Sequence, residues 1–208
     1  MFDRQSQLDH FAGYRVPVVS LTAECRCPDF LTPAKARGWP PFALVLHGLA
    51  RASLDQENFR YRLEAGRVRE VERLTVGHAV LGAGERLNFS HVAYTPDLAT
   101  FLDRYRADRD QARRAPELRA APAAGLDFIY VTCLPWLRFT SLQNPCSGRD
   151  DDSVPRFAVG AFAREGDEVS FPLSVQAHHG LVDGIHISRL FEGMARAMGD
   201  LAQAAGAG

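Results

Sequence analysis

The sequence predicts an α/β fold, a two-layer mixed sandwich in which a large, mostly antiparallel or mixed β-sheet is covered by helices. Three observations carry this. Helix-period segments are scattered among many short strand patterns, without the strict strand–helix alternation of an all-parallel sheet. The back half is richer in strand than the front. A chain of 208 residues, 46% hydrophobic and 24% charged, suffices for one sizeable core. The expectation is a single domain over residues 1–208, with 201–208, LAQAAGAG, as a frayed tail.

In chain order, a helix is predicted near 42–55, where Phe42, Val45, Leu46, Leu49 and Ala50 share a face behind Pro40 and Pro41. Strands follow at Phe59–Leu63 and Val68–Val71 around a Glu64-Ala65-Gly66 turn, then at Leu74–Val80 and Leu87–Tyr94. A second helix is predicted from Thr95 as capping residue with Pro96 at its first position, carrying Leu98, Phe101, Leu102 and Tyr105. Further strands are read at Asp127–Cys133, Leu137–Leu142, Arg156–Ala163 and Glu168–Gln176, the last two joined at Gly166-Asp167. Residues 145–155 read as a polar loop. The third helix runs from about 185 to 203 on Ile187, Leu190, Phe191, Met194, Met198 and Leu201.

Composition excludes several functions. With 24 Lys+Arg against 25 Asp+Glu there is no net field to draw the chain onto nucleic acid or acidic lipid. No apolar run approaches the roughly 20 residues of a membrane helix, and the opening MFDRQSQLDHF lacks a signal peptide's apolar stretch. Cys25, Cys27, Cys133 and Cys146 form no disulfide framework, and a reducing, cytoplasmic setting fits them. Cys25 and Cys27 are read as small residues in an irregular stretch and are assigned no chemistry.

The chemistry concentrates in SVQAHHGLVDGIHISRLF, where a strand pattern gives way to a helical one. Histidine alone has an ordinary pKa, about 6.5, suited to taking a proton from a hydroxyl and returning it near neutral pH. His178, His179, Asp183 and Gly184 place two imidazoles, a turn and a carboxylate at that junction. The bland alternative is a structural histidine pair with an Asp-Gly turn capping the last helix.

The pattern HHxxxDG resembles that of the chloramphenicol acetyltransferase family, and the likeness spans nearly the whole chain. It is carried also by His10-Phe11 with Tyr14 behind, Phe59-Arg60-Tyr61-Arg62, Phe89-Ser90, and Leu134-Pro135-Trp136 before Phe139-Thr140-Ser141. The resemblance implies homotrimers with active sites at the subunit interfaces, acetyl-CoA as co-substrate with no permanently bound cofactor or metal, and O-acetylation of the primary hydroxyl of chloramphenicol, hence antibiotic resistance. It implies His179 as general base acting without an acetyl-enzyme, Thr132 as oxyanion donor, and Asp183 in an ionic, structural role. Tyr14 and Phe89 become acceptor-pocket walls, and Phe162 the CoA-side residue, while Trp136 and Phe139 are expected in the core near the site.

Three positions depart from the family's pattern. Gln7 stands where an arginine pairs with the motif aspartate, leaving Arg4, Arg15 or Arg189 as possible partners of Asp183. Ala158 replaces a threonine, and Gly160-Ala161-Phe162 lacks a lysine. The segment from Arg15 to Ser20 is also short for the family. The competing readings are a peptide condensation domain, which needs two such lobes, a dihydrolipoyl acyltransferase core, an acyltransferase on another alcohol, a metallohydrolase using His179, Asp183 and His186, and a ligand-binding scaffold without turnover.

Overall fold

In the computed structural model, which describes residues 2–120, 125–149 and 151–206, Pro41 opens a helix that is buried on nearly all faces through its first three turns, its charges Arg51 and Asp55 coming only near its end. This helix, Pro41–Asp55, buries Leu44, Leu46 and Leu49 completely, as expected of the run Phe42–Ala50, which has almost no polar side to offer solvent. Numbered in chain order, the helices are α1 (Gln5–Ala12), α2 (Leu31–Ala36), α3 (Pro41–Asp55), α4 (Leu98–Arg114) and α5 (Gly184–Gly206). The strands are β1 (Val18–Pro28), β2 (Tyr61–Glu64), β3 (Arg67–Glu70), β4 (Thr75–Leu81), β5 (Leu87–Ala93), β6 (Phe128–Leu134), β7 (Arg156–Gly160), β8 (Ala163–Glu165) and β9 (Glu168–His178).

The main sheet runs β1-β9-β7-β6-β4-β5, with β8 added to β9, and β2-β3 form a separate hairpin. β6 is parallel to β4 and β7, and the remaining pairings are antiparallel. The sheet is therefore mixed, as predicted. Phe157, Phe171, Leu173 and Val175 of β7 and β9 join α3, Phe101 and Leu102 of α4, and Leu190, Met194 and Met198 of α5 in one core. Each such side chain contributes roughly 1.5–3 kcal/mol of burial free energy. Gly48 lets α3 and α5 close together: a Cβ there would lie 3.1 Å from Met198 Sδ.

Among the described residues, Arg62 is the one full charge placed wholly inside. Its guanidinium donates to the main-chain carbonyls of Phe59, Tyr61, Leu126 and Phe128, all at 2.8 Å, so the hairpin β2-β3 is tied to the start of β6. Burial pushes its pKa down to about 9.

Several expectations are corrected. β1 was not predicted, and Cys25 and Cys27 lie on it, buried and alternating with outward Glu24 and Arg26. Helices α1 and α2 were also missed. Residues 137–142 form no strand, because this segment bonds to its neighbours by side chains and isolated main-chain contacts such as Ala161 N–H to Leu137 O at 2.8 Å. α4 starts at Leu98, with Asp97 rather than Thr95 as its cap, the carboxylate accepting the Thr100 N–H at 2.9 Å. In place of the expected frayed tail, α5 continues through 206: Leu201 and Ala205 are buried on it, and Arg37 Nε donates to Ala205 O at 2.6 Å. Residues 207–208 lie outside the described residues.

Candidate active site

Strand β9 ends at His178, and the five residues before α5 form a turn fixed on every side. The His179 N–H donates to Pro17 O at 2.8 Å, and the N–H groups of Leu181 and Val182 both donate to His178 O. Asn58 Nδ2 donates to Leu181 O at 2.8 Å. Gly180 is needed where α1 crosses the turn, since a Cβ would lie 2.9 Å from Leu8 Cα. His178 is buried, its Nδ1 accepts the Gly180 N–H at 3.1 Å, and desolvation lowers its pKa. It is a structural histidine.

His179 is different. Its ring is stacked on Phe11, centroids 4.0 Å apart and planes inclined by 15°, and its side chain is 31% exposed. Nδ1 lies 3.2 Å from Val182 O. A carbonyl can only accept, so the hydrogen bond assigns the proton to Nδ1 and the lone pair to Nε2. The packing therefore sets the plane of the ring and leaves Nε2 as the nitrogen free to take a proton.

Asp183 links this imidazole to a cation: Oδ1 is 3.1 Å from His179 Nδ1 and Oδ2 is 2.6 Å from Arg4 Nη2. Of the three possible partners, Arg4 holds the carboxylate, while Gln7 stays exposed and accepts from Ser6. His186 Nδ1 accepts the Asp183 N–H at 2.9 Å, and burial, then Arg4, lowers its pKa. This arrangement does not suit the metallohydrolase reading. An arginine already occupies the carboxylate, and one lone pair of His186 is spent on the main chain.

A second cluster lies elsewhere on the sheet, around a cavity of about 480 Å³. Thr132 and Tyr130 of β6, Phe89 and His91 of β5, Asn144 and Arg156 line it. Thr132 pairs in register with Ala158 of β7, and Thr132 Oγ1 is 3.4 Å from Asn144 Oδ1. Gly77 lines the same cavity, where a Cβ would lie 2.9 Å from the Tyr130 ring. Arg156 is paired to Asp152 at 2.8 and 2.9 Å and so presents a neutralised charge to the cavity.

Within one chain the predicted site residues divide between these clusters. Ala158 faces Ser174 on β9, so Thr132 sits level with Ser174, two strands away and five residues before His179. At about 3.3 Å per residue and 4.8 Å per strand, His179 and Thr132 are separated by roughly 19 Å. Tyr14 belongs with His179: it is 54% exposed and packs on His10 and Phe11. Phe89 belongs with Thr132. Phe162 lies in neither cluster; its ring packs edge-on against Phe30 and Phe171. Trp136 corrects its expectation, being 69% exposed rather than in the core, whereas Phe139 is half-buried. Sequence reasoning missed Asn144 and Gln176. The visible signal was Gln176, the largest polar side chain inside the mostly apolar run Phe171–Ala177.

Comparison with known proteins places a chain of this architecture, with a histidine at the β9–α5 turn, among the acyltransferases. The family described as chloramphenicol acetyltransferase matches residues 1–195. Chloramphenicol acetyltransferase 2 of Escherichia coli is 29% identical over 192 residues, covering 87% of each chain. A solved chloramphenicol acetyltransferase superposes with TM-score 0.83 at 23% identity, covering 95% of this chain and 96% of that one. A dihydrolipoamide acetyltransferase of Azotobacter vinelandii superposes with TM-score 0.69 at 15% identity, covering 94% and 86%. The chain belongs to the chloramphenicol acetyltransferase family.

Proposed function

We propose that this enzyme transfers the acetyl group of acetyl-CoA to the primary hydroxyl of chloramphenicol, so conferring resistance, and that it does so in the cytoplasm as a homotrimer whose sites lie between subunits. The separation of His179 from Thr132 carries this reading. Two groups roughly 19 Å apart in one chain serve one reaction only if the base comes from one subunit and the oxyanion donor from its neighbour. The exposure of His179 and Tyr14 leaves them available for such an interface.

The acceptor hydroxyl gives its proton to His179 Nε2 as its oxygen attacks the thioester carbonyl directly. The tetrahedral oxyanion accepts a hydrogen bond from Thr132 Oγ1. Collapse breaks the C–S bond, and the imidazolium returns the proton to the CoA thiolate. Asp183, held by Arg4, fixes the imidazole without exchanging protons itself. Phe89 and the neighbour's copy of Tyr14 wall the aromatic end of the acceptor. Phe162, its ring engaged with Phe30 and Phe171, offers CoA only its remaining edge.

Mass spectrometry of the products at saturating acetyl-CoA tests the substrate. Chloramphenicol monoacetylated on its primary hydroxyl is expected, with free CoA released in equal amount. Rapid acetylation of another alcohol without acetylated chloramphenicol would reject the substrate and leave the reaction class standing.

A further inference from the structure

The loop that covers the sheet next to Thr132 is held by a row of side chains from β9, the strand that ends in the histidine turn. Ser174 Oγ donates to Leu142 O at 3.0 Å. Two residues on, on the same face of the strand, Gln176 is 1% exposed and grips Asn144 at both ends of its main chain. Gln176 Oε1 accepts the Asn144 N–H at 2.8 Å, and its Nε2 donates to Asn144 O at 3.2 Å and to Cys146 Sγ at 3.1 Å. A buried carboxamide thus fixes the backbone of a residue whose own carboxamide reaches Thr132.

That second carboxamide is not satisfied. Asn144 Oδ1 lies 3.4 Å from Thr132 Oγ1, while Asn144 Nδ2 is buried and has no partner. In this orientation Thr132 spends its only proton on Asn144, and a hydroxyl whose proton is engaged cannot stabilise an oxyanion. Half a turn about the terminal torsion exchanges the amide's oxygen and nitrogen. Nδ2 then donates to the Thr132 oxygen, and the Thr132 proton is released towards the cavity. The exchange also replaces an orphaned donor by an under-satisfied carbonyl, the less rare of the two defects.

We infer that Asn144, pinned by Gln176 beside Thr132 on the cavity wall, is a positioning residue whose amide N–H donates to Thr132 Oγ1 and so directs the threonine proton at the reacting oxygen. This rests on the reading of Thr132 as oxyanion donor. The weak 3.4 Å contact shortens when the oxyanion draws the Thr132 proton forward, because a hydroxyl that donates strongly also accepts more strongly.

Two substitutions separate this role from a merely structural one. Asn144→Asp keeps the shape but leaves only acceptors, so it captures the Thr132 proton. Asn144→Leu removes donor and acceptor together and leaves the hydroxyl free to rotate. Steady-state assays should show kcat lowered on the order of 10–100-fold for Asp, by less for Leu, with the acceptor KM little changed in both. A merely structural role would instead lower kcat in step with the melting temperature, and by the same factor whether or not the Thr132 hydroxyl is present. In the Thr132→Val background neither substitution should lower kcat by more than about two-fold, because the group being positioned is gone. Multiplicative losses in the double variants, Leu worse than Asp, or a kcat for Asn144→Asp within about two-fold of wild type would each overturn the inference. If Thr132→Val itself leaves kcat intact, the oxyanion reading fails and this inference falls with it.

Discussion

Replacing His179 by Ala is expected to lower kcat by on the order of 10²–10⁴-fold, with CoA binding and the folded state retained. The size follows from the geometry. The Nδ1 contact with Val182 O leaves Nε2 as the basic atom, and stacking on Phe11 holds the ring in one plane, so nothing else in the turn replaces it. His178→Ala is the control. His178 is buried and its Nδ1 is occupied by the Gly180 N–H, so its loss should appear as a lower melting temperature with a much smaller change in kcat. Steady-state rates and thermal melts of the two variants check this. If His178→Ala lost more activity than His179→Ala while remaining folded, the assignment of the base would be wrong.

Thr132→Val keeps a β-branched side chain on β6 and deletes the hydroxyl. Removal of one oxyanion donor should lower kcat on the order of 10–10³-fold while leaving the acceptor KM nearly unchanged, because the lost interaction exists only after attack on the thioester. Strand β6 lies in the middle of the sheet, between β7 and β4, and valine suits that position at least as well as threonine. Stability should therefore hold. An unchanged kcat under conditions where chemistry limits turnover would remove Thr132 from the mechanism.

The legible parts of the molecule were those where one physical signal dominates. α3 and α5 carry continuous apolar faces, the β2-β3 turn requires positive φ at Ala65 and Gly66, and the HHxxxDG turn combines rare residues at fixed spacing. β1 was illegible for the opposite reason. It is an edge strand, much of it exposed, so its alternation consists of Glu24, Arg26 and two cysteines rather than large aliphatics. Residues 137–142 misled because Leu137-Arg138-Phe139-Thr140 begins an apolar/polar alternation like a strand, although Leu137 is exposed and the segment is held at Leu142 by Ser174 and, just beyond it, at Asn144 by Gln176 of β9. Among site residues, the replacement of the expected arginine by Gln7 was readable, but the choice of Arg4 depends on where α1 begins relative to Asp183. Asn144 gave no signal at all, since its meaning lies in two contacts across more than ten residues of chain.

The central claim is that one working site takes His179 from one subunit and Thr132 from its neighbour. His179→Ala and Thr132→Val, each nearly inactive, can be unfolded together and refolded as mixed oligomers. A subunit bearing Thr132→Val then supplies an intact His179 to a neighbour bearing His179→Ala, whose Thr132 is intact. Random mixing in equal amounts makes about a quarter of the interfaces wild-type in both residues, so chloramphenicol acetylation should return to about a quarter of the wild-type rate. Activity that stays at the mean of the two separate variants, in oligomers shown to be mixed, would contradict the shared site.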